Sequence, residues 1–204
     1  MEQDKGQTHA EINIYFEIVF SMKAKTICID IDGTLAHSIK NWLEILEKER
    51  GISKNVEELN KYKIEEILGL EREEVLEIFR KAWSKYDEIE VIGNAPEVIS
   101  RLHSKYTINI MTGSVAKDGE LKAWLEINKI PYDNFVHLQK ESEKLEINGD
   151  IFVEDNPDIA LSLSKKGKKV ILIERPWNKS YKNNGIEFAK DWGEVEKIIE
   201  KQDM

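Results

Sequence analysis

Five short runs rich in Ile and Val, at 26–29, 106–111, 135–138, 151–153 and 170–173, constrain this chain more than any other feature. Each is too short for a core helix and, being apolar without strict alternation, suits a strand buried on both faces of a parallel sheet. Helical periods separate the later runs, at 117–128, 142–148 and 157–166, the last closed by Gly167. Such alternation predicts an α/β fold built on a doubly wound, Rossmann-like parallel sheet. In open sheets of this kind ligands gather outside the carboxyl ends of the strands, so the residues that follow each run are the first candidates for chemistry.

A second texture occupies 36–92. Trp42, Leu43 and Leu46, then Val75, Leu76, Phe79 and Trp83, recur at helical spacing with no strand pattern between them. This stretch is expected to form a small helical cap inserted after the first strand. The α/β core would then comprise 22–35 and 93–204, with Asn94-Ala95-Pro96 starting the helix that returns to the sheet. In 1–21, Ile12, Ile14, Phe16 and Ile18 alternate with polar or aromatic neighbours. That permits an extra edge strand; the alternative is an N-terminal extension with Met22 as the functional start.

A chain of 204 residues with 41% apolar content can bury an ordinary core. Its formal net charge of -9 opposes a broad phosphate-tracking surface, so no nucleic-acid partner is expected. The lone cysteine, Cys28, sits in an apolar run and reads as a core thiol. His9, His37, His103 and His137 lack ligand-like spacing and read as surface or packing residues. Asn13 and Glu17 interrupt the first apolar stretch, which fits neither a signal peptide nor a membrane span, and a cytoplasmic protein with no membrane partner is expected. No residue pattern specifies an oligomeric state.

The strongest local signal is IDIDGTLA at 29–36, where an apolar strand ends in Asp30 and Asp32, followed by Gly33 for a tight turn and Thr34 with its hydroxyl. INIMTGS at 108–114 ends another strand in Thr112 and Gly113, whose hydroxyl and backbone amide suit phosphate oxygens. IFVEDNPD at 151–158 runs a strand directly into Glu154 and Asp155. Two adjacent acids repel unless a cation or solvent intervenes, and Mg²⁺ favours carboxylate oxygens. A lysine before that strand would balance the acids; Lys144 is the choice and Lys140 the competitor.

In order and strand context, these four elements resemble the haloacid dehalogenase (HAD) superfamily of phosphohydrolases. The resemblance implies that Asp30 is the nucleophile and a metal ligand, and that Asp32 is the general acid and base, its backbone carbonyl also touching the metal. It further implies that Thr112 and Lys144 bind the phosphoryl group beside Gly33, Thr34 and Gly113, that Asp155 ligates Mg²⁺ directly, and that Glu154 acts through water. ILIERPWN at 171–178, followed by Gly185 and Asp191-Trp192, is similar to the C-terminal signature of the deoxyribonucleotidase-like branch. The substrate implied is a small phosphorylated metabolite, a nucleoside monophosphate first. A sugar phosphate is the alternative ester, and a non-catalytic phospholigand-binding module the alternative class. Trp42, Tyr62, Phe79, Trp83 and Tyr86 offer rings for a nucleobase, though helical spacing makes most of them cap core, and Trp177 is expected only to pack a turn.

Overall fold

The computed structural model describes residues 25–181 and 186–201. The extension or edge strand expected over 1–21, with Met22, and Gly185 lie outside the described residues. Six strands, β1 (Thr26–Ile29), β2 (Thr107–Thr112), β3 (Asn134–His137), β4 (Ile151–Glu154), β5 (Lys169–Ile173) and β6 (Glu187–Ala189), form one sheet. All pair in parallel, in the order β3-β2-β1-β4-β5-β6. The chain winds outward from β1 to β3, then returns to lay β4 on the other side of β1. This reversal is the doubly wound switch point at which α/β folds open a crevice.

Among the described residues seven α-helices accompany the strands: α1 (Ser38–Arg50), α2 (Ile64–Leu68), α3 (Arg72–Trp83), α4 (Ala95–His103), α5 (Asp118–Ile127), α6 (Pro157–Lys165) and α7 (Trp192–Lys201). Strand side chains alternate between faces. Ile27, Ile29, Ile108, Ile110, Ile151 and Val153 therefore pack with residues of α4, α5 and α7. Cys28, Met111, Phe152 and Leu172 turn the other way, onto Ile159, Ala160 and Leu163 of α6. Burial pushes the Cys28 thiol up to about 12, which keeps it an inert core group.

Register carries the chemistry to one edge. Ile29 of β1 lies opposite Ile110 of β2 and Val153 of β4, and the Asp30 amide donates to the Val153 carbonyl at 3.1 Å. The residues that follow these strands therefore emerge together.

Three sequence expectations need correction. The run at 135–138 is an edge strand with Asn134 exposed and the rest half-buried, because among the described residues β3 has a neighbour on one side only. The stretch 142–148 is no α-helix but a 3-10 turn, Glu141–Glu146. In that tighter winding residues three apart eclipse, so Glu141 and Lys144 project on the same side. The short β6 was not anticipated, since three residues are too few for a period to show.

Between β1 and α4 the chain forms α1, α2 and α3 around a separate apolar cluster of Ile39, Trp42, Leu43, Leu46, Leu59, Ile64, Val75 and Ile78. Gly51 ends α1 in the left-handed region, a conformation that favours glycine. The segment leaves and re-enters the sheet domain along one seam: His37 N–H donates to the Glu90 carbonyl and Ile92 N–H to the Leu35 carbonyl. Among the described residues no helix is long and apolar enough to cross a membrane.

Candidate active site

Where β1 and β4 end, Asp30, Glu154 and Asp155 each offer a carboxylate oxygen, all within 4.8 Å of one another. Each of the three is almost fully buried. Lys144, equally buried, places its ammonium 2.7 Å from Asp30, 2.8 Å from Glu141 and 3.0 Å from Glu154. Lys140 is exposed, so geometry brings Lys144 rather than its competitor to the acids.

Burial pushes the Asp30 carboxyl up, more than the adjacent Lys144 ammonium can pull it back, with Glu154 and Glu141 adding repulsion. Burial likewise drives Glu154 and Asp155 up. For Lys144, desolvation favours the neutral amine, but Asp30, Glu154 and Glu141 more than reverse this and hold the charge. Lys144 thus meets three acids, while Asp155 beside them feels both Lys144 and Arg175. Glu154 Oε1 meets only the Lys144 ammonium, and Oε2, also buried, has no hydrogen-bond partner among the described residues. An orphaned buried oxygen in an all-carboxylate set is the kind of donor that a small, hard divalent cation requires. The residues present fit such an ion.

Gly33 belongs to this arrangement through its shape. It has φ of +72°, and a Cβ there would lie 2.1 Å from Asp155 Oδ2. Only glycine lets the turn after β1 rest against that carboxylate.

Asp32 faces the cleft from the other side. Its Oδ1 accepts from Ser38 Oγ at 2.5 Å and from Trp83 Nε1 at 2.9 Å. Burial raises its pKa, opposed by the hydrogen bonds from Ser38, Ser114 and Trp83. Thr112 is buried and its Oγ1 accepts the Ser114 N–H at 3.1 Å, which curls the loop after β2. Gly113 lines the cleft, with the Glu141 carboxylate against its backbone. Thr34 is not brought to the cleft: its side chain is fully buried with Oγ1 unpartnered among the described residues, and its carbonyl accepts from Trp192 Nε1 at 3.1 Å. The turn faces Thr34 into the protein while Gly33 faces the opening.

The cleft has a volume of about 130 Å³. Asp32, Gly33, Gly113, Ser114, Glu141 and Asp155 form its floor, and Tyr62, Ile64, Arg72, Val75, Leu76 and Phe79 of the helical segment form its wall. Trp42 instead lies in the core of that segment, donating Nε1 to the Val75 carbonyl.

Sequence reasoning missed several contributors. Trp177 does more than pack a turn: its Nε1 donates to Asp155 Oδ2 at 3.0 Å while its rings join the apolar cluster of α1 to α3. Asn178, fully buried, donates to the carbonyls of Asp155 and Ile173, both at 2.9 Å. Arg175 Nε donates to the Gly33 carbonyl at 2.6 Å. The 175–178 segment is thus a brace behind the acids, and the ILIERPWN string was the signal that pointed to it. Glu141 carried no such signal, since an acid in a polar turn looks like any solvated residue.

Comparison with known proteins agrees with this geometry. Residues 24–203 match the family described as 5' nucleotidase, deoxy (pyrimidine), cytosolic type C protein. A nucleotidase of Clostridium acetobutylicum is 31% identical over 188 residues, spanning 88% of this chain and 96% of that protein. Among solved structures, a haloacid dehalogenase-like hydrolase of Streptococcus pneumoniae matches with a TM-score of 0.63 at 17% identity, over 87% of this chain and 99% of its own. A Bacillus subtilis HAD-hydrolase described as bound to magnesium matches with a TM-score of 0.57 at 13% identity, over 86% of this chain and 98% of its own. The structural matches establish the fold, the sequence matches the family. The chain therefore belongs to the 5' nucleotidase, deoxy (pyrimidine), cytosolic type C family, a nucleotidase branch of the HAD-type phosphoric monoester hydrolases.

Proposed function

We propose that this protein is a cytoplasmic, Mg²⁺-dependent phosphatase that hydrolyses a nucleoside monophosphate through an aspartyl-phosphate on Asp30. The observation that carries the reading is the convergence of Asp30, Glu154 and Asp155 beside the buried Lys144 ammonium. Asp30 and Asp155 would hold the metal directly, with the Asp32 backbone carbonyl, and Glu154 through water. When bound, Mg²⁺ supplies the positive charge that lets a carboxylate approach a dianionic phosphate.

The rest is the work of the chain itself. Asp30 attacks phosphorus, and the bond to the ester oxygen breaks. Lys144 neutralises phosphoryl oxygens at the approach, together with Thr112 and the Gly113 amide. Asp32, oriented by Ser38 and Trp83, protonates the departing oxygen and then takes a proton from the water that cleaves the acyl phosphate. Such general-acid help contributes about 10² to 10⁴ in rate. Splitting one displacement into two is the gain from covalent catalysis. The helical segment acts as a cap that excludes water, and the Bacillus subtilis relative is described as showing interdomain movement.

Tyr62 and Phe79 on the cleft wall favour a ring-bearing ester. A second reading, a sugar phosphate, is favoured by the cavity volume of about 130 Å³, close to what one six-membered ring fills. Phosphate release from a panel of nucleoside monophosphates, sugar phosphates and phosphoserine, with Mg²⁺ and with chelator, tests both. The expected result is Mg²⁺-dependent turnover led by nucleotides; a sugar phosphate preferred over every nucleotide would replace the substrate, and full activity in chelator would remove the metal. Asp30→Asn separates catalysis from a binding module, since a module would keep its biological activity.

A further inference from the structure

One histidine set aside as a packing residue occupies a position that its neighbours make chemically specific. His137 ends β3, beside the loop that follows β2. Its Nδ1 meets a carboxylate oxygen of Asp118, the first residue of α5, and its Nε2 lies 2.8 Å from the Ser114 carbonyl oxygen. A carboxylate and a carbonyl only accept, so both ring nitrogens must donate, and only the imidazolium carries two N–H groups.

We propose that His137, held as an imidazolium between Asp118 and the Ser114 carbonyl, is a positioning residue that fixes the loop 112–116 so that Ser114 meets Asp32 and Gly113 meets the phosphoryl group. The inference rests on the phosphatase reading for its kinetic consequence, but not for its protonation state. Ser114 links the two sites: its carbonyl receives His137, its side chain is close enough to Asp32 to pull that carboxyl down, and its Oγ accepts the Ala116 N–H at 3.3 Å.

The charges around the ring agree. Burial alone would push His137 down, but the Ser114 carbonyl and Asp118 more than reverse it, with a smaller pull from Asp32, so the proton is held above the ordinary 6.5. Lys122, one turn along α5, lies 3.8 Å from the other Asp118 oxygen and competes for that carboxylate. Phe135 presents only a ring contact, and Lys117 turns away toward Glu120. Because the folded value is raised, the clamp is complete below about pH 6.5 and is lost as pH rises through the raised value.

Histidine-selective NMR on the full chain, with His137 assigned by its absence from His137→Gln, tests the protonation. Both ring nitrogens are expected protonated at pH 6.5, with a midpoint above those of the other histidines that moves down in Asp118→Asn. Kinetics with the best ester of the panel should show kcat/KM falling about 10- to 100-fold in His137→Ala. His137→Gln, whose amide can still donate to Ser114, should recover part of it, and the alkaline decline of wild-type kcat/KM should shift to lower pH in Asp118→Asn. A ring nitrogen without a proton at pH 6.5, or variants with the wild-type pH profile, would overturn the proposal. If His137→Ala does not fold, the Asp118→Asn profile decides. If no ester is hydrolysed by the wild type, the phosphatase reading fails while the NMR result still decides the imidazolium.

Discussion

The floor and the wall of the cleft hold charge on opposite terms. At the floor, Lys144 meets Asp30 and Glu154 with every side chain at most 5% exposed. On α1 and α3, pairs such as Arg50–Glu74, Lys81–Glu49 and Arg80–Glu73 stand well into solvent. Exposed pairs of that kind contribute about 0–1 kcal/mol each. What holds the wall together is its apolar cluster, with Trp42 at the centre. Burying three acids beside one lysine is costly, and apolar residues of similar volume would stabilise the fold better. Stability does not explain the floor; the proposed phosphoryl chemistry would. The wall, held by ordinary packing, is free to vary which residues it offers to a substrate.

That contrast can be broken from the floor outward. Asp30→Asn, which removes the proposed nucleophile, is expected to lower kcat by on the order of 10⁴-fold or more while circular dichroism stays native. Phosphate-release assays of purified variant and wild type check it. Asp32→Asn should cost about 10² to 10⁴ on alkyl phosphates and far less on a nitrophenyl ester, whose leaving group needs no proton. Equal losses on both esters would show that Asp32 serves something other than proton transfer.

Trp177→Phe keeps the ring packing and deletes the N–H that orients Asp155. Titration calorimetry without substrate should then find Mg²⁺ bound about 10- to 100-fold more weakly. Glu141→Gln removes the acid that shares Lys144 and lies against Gly113, so inhibition by inorganic phosphate should strengthen by about tenfold. Unchanged inhibition would mean that Glu141 leaves the phosphoryl position when ligand arrives. The smallest effect belongs to the wall: Lys81→Ala should shift unfolding free energy by less than about 0.5 kcal/mol in urea titration.

Much of the sheet was legible in the sequence because a strand buried on both faces writes itself as an unbroken apolar run. The exceptions are instructive. β3 looks the same as its neighbours in sequence, and only its place at the edge exposes Asn134. The stretch Glu141–Glu146 has helical composition yet winds as a 3-10 turn, a choice that composition does not encode. Thr34 sits in the most telling motif of the chain and still points inward, since a turn decides the direction of each side chain separately.

By itself the sequence determined the alternation of strand and helix, and with it the carboxylates placed where strands end. Both follow from periodicity and from neighbours along the chain, which short-range chemistry specifies. Tertiary structure alone decided which lysine reaches Asp30 across 114 residues, that Trp83 holds Asp32 across 51, and that Trp177 holds Asp155. It also decided that His137 bridges Asp118 and Ser114. These are contacts through space between groups that local pattern treats as ordinary, and their chemistry exists only once burial has removed the water between them.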